Sequence, residues 1–290
     1  MPISWLIDSL TGWITQGLID GIMARFIGLF DTINSQVGSI AADVGQTPGE
    51  FNPGVFAMIQ TLSENAVLPV AGMILTFVLT YELIQVIIQK NNMHEFDTFD
   101  LYKWLFKTLV AVYILTNTFA LVMGVFGLAQ NVINTASGSI VGSMDLGMGD
   151  ALAALEAQLQ AMGMWELMGL WLETFLINIC LWALTICIFI IIYGRMIEIF
   201  LVVSIAPIPL STLANREWGS IGNNYLKSLF ALAFQGFLIM VCVAIYAALV
   251  QSIPSASNIH AALWGLVGYT ILLCFSLFKT ASLSRSLFNC

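Results

Sequence analysis

Charge is what this 290-residue sequence has least of: Asp, Glu, Lys and Arg make up 9% of it. A soluble domain carries about 25%, and a water-exposed surface cannot be built from so little. With 59% hydrophobic residues and a mean hydropathy of +0.91, the composition predicts an all-α polytopic membrane protein. Basic residues are scarcer still, 9 against 17 acidic ones, for a net charge of −8. That balance excludes a basic nucleic-acid-binding domain. Histidine occurs twice, and no glycine-rich phosphate-binding loop precedes any lysine. The acidic stretch "HEFDTFD" at 94–100 lacks the paired-histidine spacing of a zinc site and reads as a solvated connector with a helix cap. Cys180, Cys187, Cys242 and Cys274 sit inside apolar runs as small hydrophobes, and Cys290 is the last residue. No Ser/His/Asp set can be assembled on one side of a membrane. The expectation is no catalytic centre, no metal and no cofactor. The N-terminus lacks a basic region and a cleavable apolar core, so no signal peptide is expected.

What the sequence has is apolar runs. Residues 3–30 place Ile3, Leu6, Ile7, Leu10, Trp13, Ile14, Leu18, Ile22 and Phe26 at helical spacing, with Asp8, Thr11, Gln16 and Asp20 opposite. This predicts an amphipathic helix over 1–33 lying in the membrane interface, a short spanning helix being the alternative. Residues 34–65 read as an extracytoplasmic loop, punctuated by Gly, Pro and Asn over 34–54. Spans are expected near 66–89 and 108–130, joined by a cytoplasmic connector at 90–107. Residues 131–167 form an extracytoplasmic loop whose short helix Asp150 caps. The region 168–279 holds three spans near 168–193, 228–251 and 261–279, with an elbow at 196–227, and a cytoplasmic tail follows at 280–290. About twenty residues suffice for each crossing.

The elbow breaks a run of apolar residues with Pro207 and Pro209, then places Arg216, Trp218 and Lys227 in a polar turn. Pro209 removes a helix donor, and both prolines disfavour helical geometry in the residue ahead. Charge sets the orientation. Lys90, Lys103, Lys107, Arg195, Arg216, Lys227, Lys279 and Arg285 all fall on one side if five spans run from an outside N-terminus to an inside C-terminus. A full crossing by 196–213 would scatter them. A re-entrant or interfacial elbow keeps them together, provided protein or a water-filled cavity satisfies its backbone.

Glu82, Glu173, Arg195 and Glu198 fall in or near spans, where an ionised residue costs at least about 2.5–3.5 kcal/mol. Each is expected to face protein or water, as gating groups on a polar path or as structural ion pairs. Arg195 and Glu198 share a helix face and can pair. Ala244 and Ala248 form a small-xxx-small pair suited to close helix packing.

The stretches "DTINSQVGSIAADVGQTP", "ILTFVLTYELIQVI", "KNNMHEFDTFDLYKWLFKT", "IAPIPLSTLANREWGSIGNNYLKSLFALAFQGFLI" and "YTILLCFSLFKTASL", in this order, give the chain a resemblance to a known family. It resembles the TrbL/VirB-six type of polytopic inner-membrane subunit of conjugative type IV secretion systems, in the version carried by integrative and conjugative elements of Gram-positive bacteria. The resemblance implies a homo-oligomeric channel or scaffold subunit in the cytoplasmic membrane. Its implied work is to help move relaxase-bound single-stranded DNA beside separate ATPases and a coupling protein. The elbow would be a contact or gate element. Eight basic against four acidic cytoplasmic side chains, Glu198 left aside, give little phosphate affinity per subunit, so DNA contact by this chain itself stays open. The other reading is a small-solute or ion transporter using Glu82 and Glu173 at a midplane site.

Overall fold

A computed structural model describes residues 2–88, 98–141, 149–251 and 259–290, and they are helical throughout except for short turns. The helices are α1 (Pro2–Gly45), α2 (Pro48–Phe51), α3 (Pro53–Leu62), α4 (Leu68–Ile88), α5 (Thr98–Thr116), α6 (Thr118–Val141), α7 (Gly149–Gln160), α8 (Met164–Ser204), α9 (Pro207–Ser211), α10 (Gly219–Gln251) and α11 (Ile259–Leu287). A π turn (Ser63–Val67) joins α3 to α4, and a 3-10 turn (Thr212–Ala214) follows α9. Among the described residues, five helical stretches are long and apolar enough to cross a membrane: Pro53–Ile88, Thr118–Ala136, Met164–Ser204, Gly219–Gln251 and Ile259–Leu287.

Several boundaries differ from the sequence expectation, the expected loop over 34–65 also holding α2 and α3. The loop expected from residue 34 is helix as far as Gly45, because Val37, Ile40, Ala41 and Val44 continue the buried stripe of Ile19, Ile22, Phe26, Leu29 and Ile33. The helix ends where Pro48 forces Thr47 into extended geometry. The Thr47 hydroxyl then accepts from the Glu50 N–H, and the Glu50 carboxylate accepts from the Thr47 N–H at 2.9 Å. These bonds hold the Glu50 carboxyl below its usual range.

The span expected over 108–130 is two helices meeting at Asn117. Three successive side chains there turn back on their own backbone: Thr116 donates to Val112 O, Asn117 to Tyr113 O and Thr118 to Ile114 O. Such bonds compete with helix continuation and bend it. The crossing-length stretch begins at Thr118, and α6 runs on to Val141, through the first part of the expected Gly/Ser-rich loop. Helix α8 likewise passes the expected end of the third span. Met196, Ile199, Phe200 and Val203 keep its apolar stripe going, so residues 196–204 of the expected elbow are ordinary helix.

The chain divides into two compact units. One comprises Met1–Val44, Thr135–Ile192 and Ile239–Lys279. In it α1 and α8 run parallel: Arg25 donates to Trp171 O at 2.9 Å and lies over the Trp171 ring, and further along Gln36 bonds Thr185. The apolar face of α1 is buried from Ile19 onward, while Leu10, Trp13 and Ile14 stay exposed. Helix α11 is also parallel to α8, through His260 on Glu173 and Cys274 on Leu184 O.

The second unit comprises Gly45–Asn134, Tyr193–Leu238 and Thr280–Cys290. One core joins α6, α8 and α10 through Val122, Phe126, Met196, Ile199, Phe200, Leu229 and Ala233. Another joins α4, α5 and the hairpin tip through Ala71, Leu75, Val78, Leu115 and Ala214. The connector around Lys90 and His94, the segment 142–148, the loop 252–258 and the Asp150 side chain lie outside the described residues.

Candidate functional site at the tip of a kinked helical hairpin

The elbow is a helical hairpin. The chain descends through α8, kinks at Ala206 and Pro207, continues as α9 and the 3-10 turn, reverses over Asn215–Trp218 and returns as α10. Its arms are zipped by three contacts. Thr212 Oγ1 accepts from Gly222 N at 3.2 Å, Tyr225 Oη donates to Val202 O at 3.1 Å, and Gly236 lies against Arg195. Pro207 occupies the first turn of α9, where a missing N–H costs nothing. Both Pro207 and Pro209 are buried. The break is thus confined to 205–218, narrower than the expected 196–227.

Asn215 organises the reversal. Its Oδ1 accepts from Glu217 N at 2.7 Å and Trp218 N at 3.2 Å, an Asx turn. Its Nδ2 donates to Glu82 Oε2 at 2.8 Å. Glu82 Oε1 in turn accepts from Lys107 Nζ at 2.5 Å. One face of α4 therefore clamps the tip. Phe77 and Tyr81 stack on Trp218 at 5.5 and 5.7 Å. Tyr81 Oη donates to Glu217 at 3.2 Å, and Gln85 Nε2 donates to the same carboxylate at 2.8 Å. Residues 77, 81 and 85 recur every four positions, so they line one side of the helix. Arg216 is exposed at the tip and Lys227 on the returning arm.

The structure sorts the remaining sequence candidates. Glu173 is held by His260 Nδ1 at 2.5 Å. Arg195 and Glu198 form no salt bridge among the described residues, though their charges still interact. Glu198 pairs with Arg285 instead, because an exposed guanidinium reaches it from α11. Arg195 is 95% buried, with Ile133 and Gly236 packed around it, and its Nε has no partner among the described residues. Ala248 is exposed and Ala244 half-buried, because the buried face of α10 there is Val243, Tyr246, Ala247 and Val250. The small pair thus sits beside the intramolecular contact, not in it.

Sequence reasoning missed Asn215, Glu217, Gly222 and the aromatic clamp on α4. The signal for Asn215 was present in "ANREWG", an Asn opening a short polar turn between two helices. Nothing local marks Tyr81 or Phe77 as its partners.

A helical chain whose described residues include five crossing-length apolar helices is a multi-pass membrane protein. The chain belongs to the family described as TrbL/VirB6 plasmid conjugal transfer like protein, whose model matches residues 33–207. It is a component of a conjugal transfer system. The match takes in the end of α1 and all of α2 to α8, and ends at Pro207, the first residue of α9. No curated protein and no solved structure matches the chain.

Proposed function

We propose that the chain is a channel or scaffold subunit of a conjugative type IV secretion system, helping relaxase-bound single-stranded DNA across the cytoplasmic membrane. It works as a homo-oligomer beside separate ATPases and a coupling protein, with its N-terminus outside and its C-terminus inside. Family membership over residues 33–207 is the observation that carries the reading. The hairpin supports it: a rigidly clamped tip with Arg216 and Lys227 exposed suits contact with partner proteins or an anionic substrate in transit. The bonding of Glu82 and Glu173 speaks against a solute transporter, since both carboxylates are already engaged by side chains of this chain.

An in-frame deletion in the donor is expected to reduce transfer frequency to background, with full recovery from a plasmid copy. A copy carrying Pro207→Ala and Pro209→Ala is expected to recover transfer incompletely, by roughly tenfold less. A penalty of about 1.4 kcal/mol on the competent hairpin geometry suffices for that. Parental transfer from the deletion strain contradicts the function. Full recovery by the proline variant removes the hairpin from it. Solute uptake by the purified chain alone in liposomes favours a transporter.

A further inference from the structure

Three helix irregularities of the second unit meet at one place: the π turn Ser63–Val67, the α5–α6 break at Asn117, and the kink at Pro207. The π turn arises where Pro69 supplies no N–H, and the Leu68 N–H reaches back to Ser63 O. Isolated π turns are frequent at functional sites. Between the three lies an open pocket of about 210 Å³.

Its polar lining is almost all acceptor. The Thr116, Asn117 and Thr118 donors point to backbone carbonyls of α5, and Asn117 Nδ2 also donates to Thr116 Oγ1 at 3.2 Å, which leaves the Thr118 oxygen, the second lone pair of Thr116 Oγ1 and the Asn117 Oδ1 for the pocket. Gln60 Nε2 is used on Glu64 Oε1 at 2.9 Å, which leaves the second Glu64 oxygen and the Gln60 oxygen. Ser63 opens the π turn, is 1% exposed and lines the pocket. No Lys, Arg or His lines the pocket, and Glu64 is in no ion pair among the described residues. Glu64 is exposed at the pocket, so its carboxylate is open to a ligand.

We propose that this pocket binds an organic cation, an ammonium or guanidinium group on a short aliphatic stem, with Glu64 as its counter-ion and Ser63, Thr116 and Asn117 as acceptors. The lining demands a ligand that brings donors and positive charge, which excludes phosphate. Size argues against a bare metal ion. At about 30 Å³ per water the space holds roughly seven waters, room for the five heavy atoms of butylammonium or methylguanidinium. Two sources carry this chemistry: a free polyamine, or a Lys or Arg side chain of another protein.

The test is calorimetric titration of the full chain in detergent with n-butylammonium, methylguanidinium and sodium at matched ionic strength. Saturable binding of an organic cation is expected, weakened at least tenfold by Glu64→Gln. Ala120→Leu, which fills the pocket without touching the carboxylate, is expected to weaken it similarly. Unchanged melting of both variants without ligand shows that they fold. Tighter binding of spermidine than of an acetyl-lysine amide assigns a free polyamine, and the reverse a protein side chain; either supports the site. No saturable binding, equal binding of sodium, or full binding by Glu64→Gln overturns it. Because the readout is binding, the site can fail while the transfer function stands, and the reverse.

Discussion

Gly222→Ala is expected to destabilise the purified chain by about 3 kcal/mol, the upper end of what overpacking costs. A Cβ at this position would lie 2.6 Å from both Leu213 Cγ and Cδ2, and 2.7 Å from Pro209 O. The leucine could change rotamer, but the carbonyl belongs to the backbone of α9. Relief therefore requires α10 to move away from α9 and the 3-10 turn. That movement breaks the bond from Gly222 N to Thr212 Oγ1 and loosens the turn that presents Arg216. Gly72→Ala on α4 is the matched control. Nothing lies within 4 Å of its added methyl, so it gains about 0.5–1 kcal/mol of helix propensity. Thermal unfolding of both variants in one detergent reads the difference. Equal melting of the two contradicts the packing described for the hairpin.

Glu82→Ala is expected to cost about 2–3 kcal/mol. The carboxylate side chain is 12% exposed and accepts from both Lys107 and Asn215, so its removal leaves two donors without their partner. The full penalty of a broken buried pair, about 3–5 kcal/mol, does not apply, because the Lys107 side chain is 37% exposed and water can reach it. Asn215 is the more serious loss. It is buried, and the same side chain caps the turn. Glu82→Gln keeps an acceptor for Asn215 and is expected to cost about 1 kcal/mol, the net worth of an ordinary hydrogen bond. In a double-mutant cycle, Lys107→Met placed on Glu82→Ala is expected to cost less than Lys107→Met alone. Additive costs would mean that the two side chains do not interact.

The membrane class, the helices and the position of the break were legible because composition and proline placement report them directly. What was not legible follows from physics that acts at a distance along the chain. Arg195 and Glu198 are correctly spaced for a helix pair, but Arg285 takes the carboxylate from 87 residues away. The extra length of α1 and α6 was hidden because Gly and Ser suggest loops, whereas a single Gly within a helix costs only about 1 kcal/mol against Ala. Packing of Ile40, Val44 and Ile133 repays that easily. The bend at Asn117 failed for the opposite reason. The surrounding run is uniformly apolar, and hydropathy does not register three side chains bonding back onto their own helix. Glu82 was flagged for its charge alone. Its function in the fold, as the anchor for Asn215, needed coordinates.

Of the channel and scaffold forms of the proposed function, we propose the channel form, in which this chain stands on the path of the transferred strand. Its most direct test is formaldehyde cross-linking in donor cells during active transfer, followed by immunoprecipitation of the tagged chain and strand-specific amplification of the recovered DNA. The account predicts enrichment of the transferred strand, dependent on the relaxase and reduced by Arg216→Ala together with Lys227→Ala. Recovery of no more transferred strand than of unrelated chromosomal DNA, in cells that transfer normally, would contradict it and leave a scaffold without a conduit.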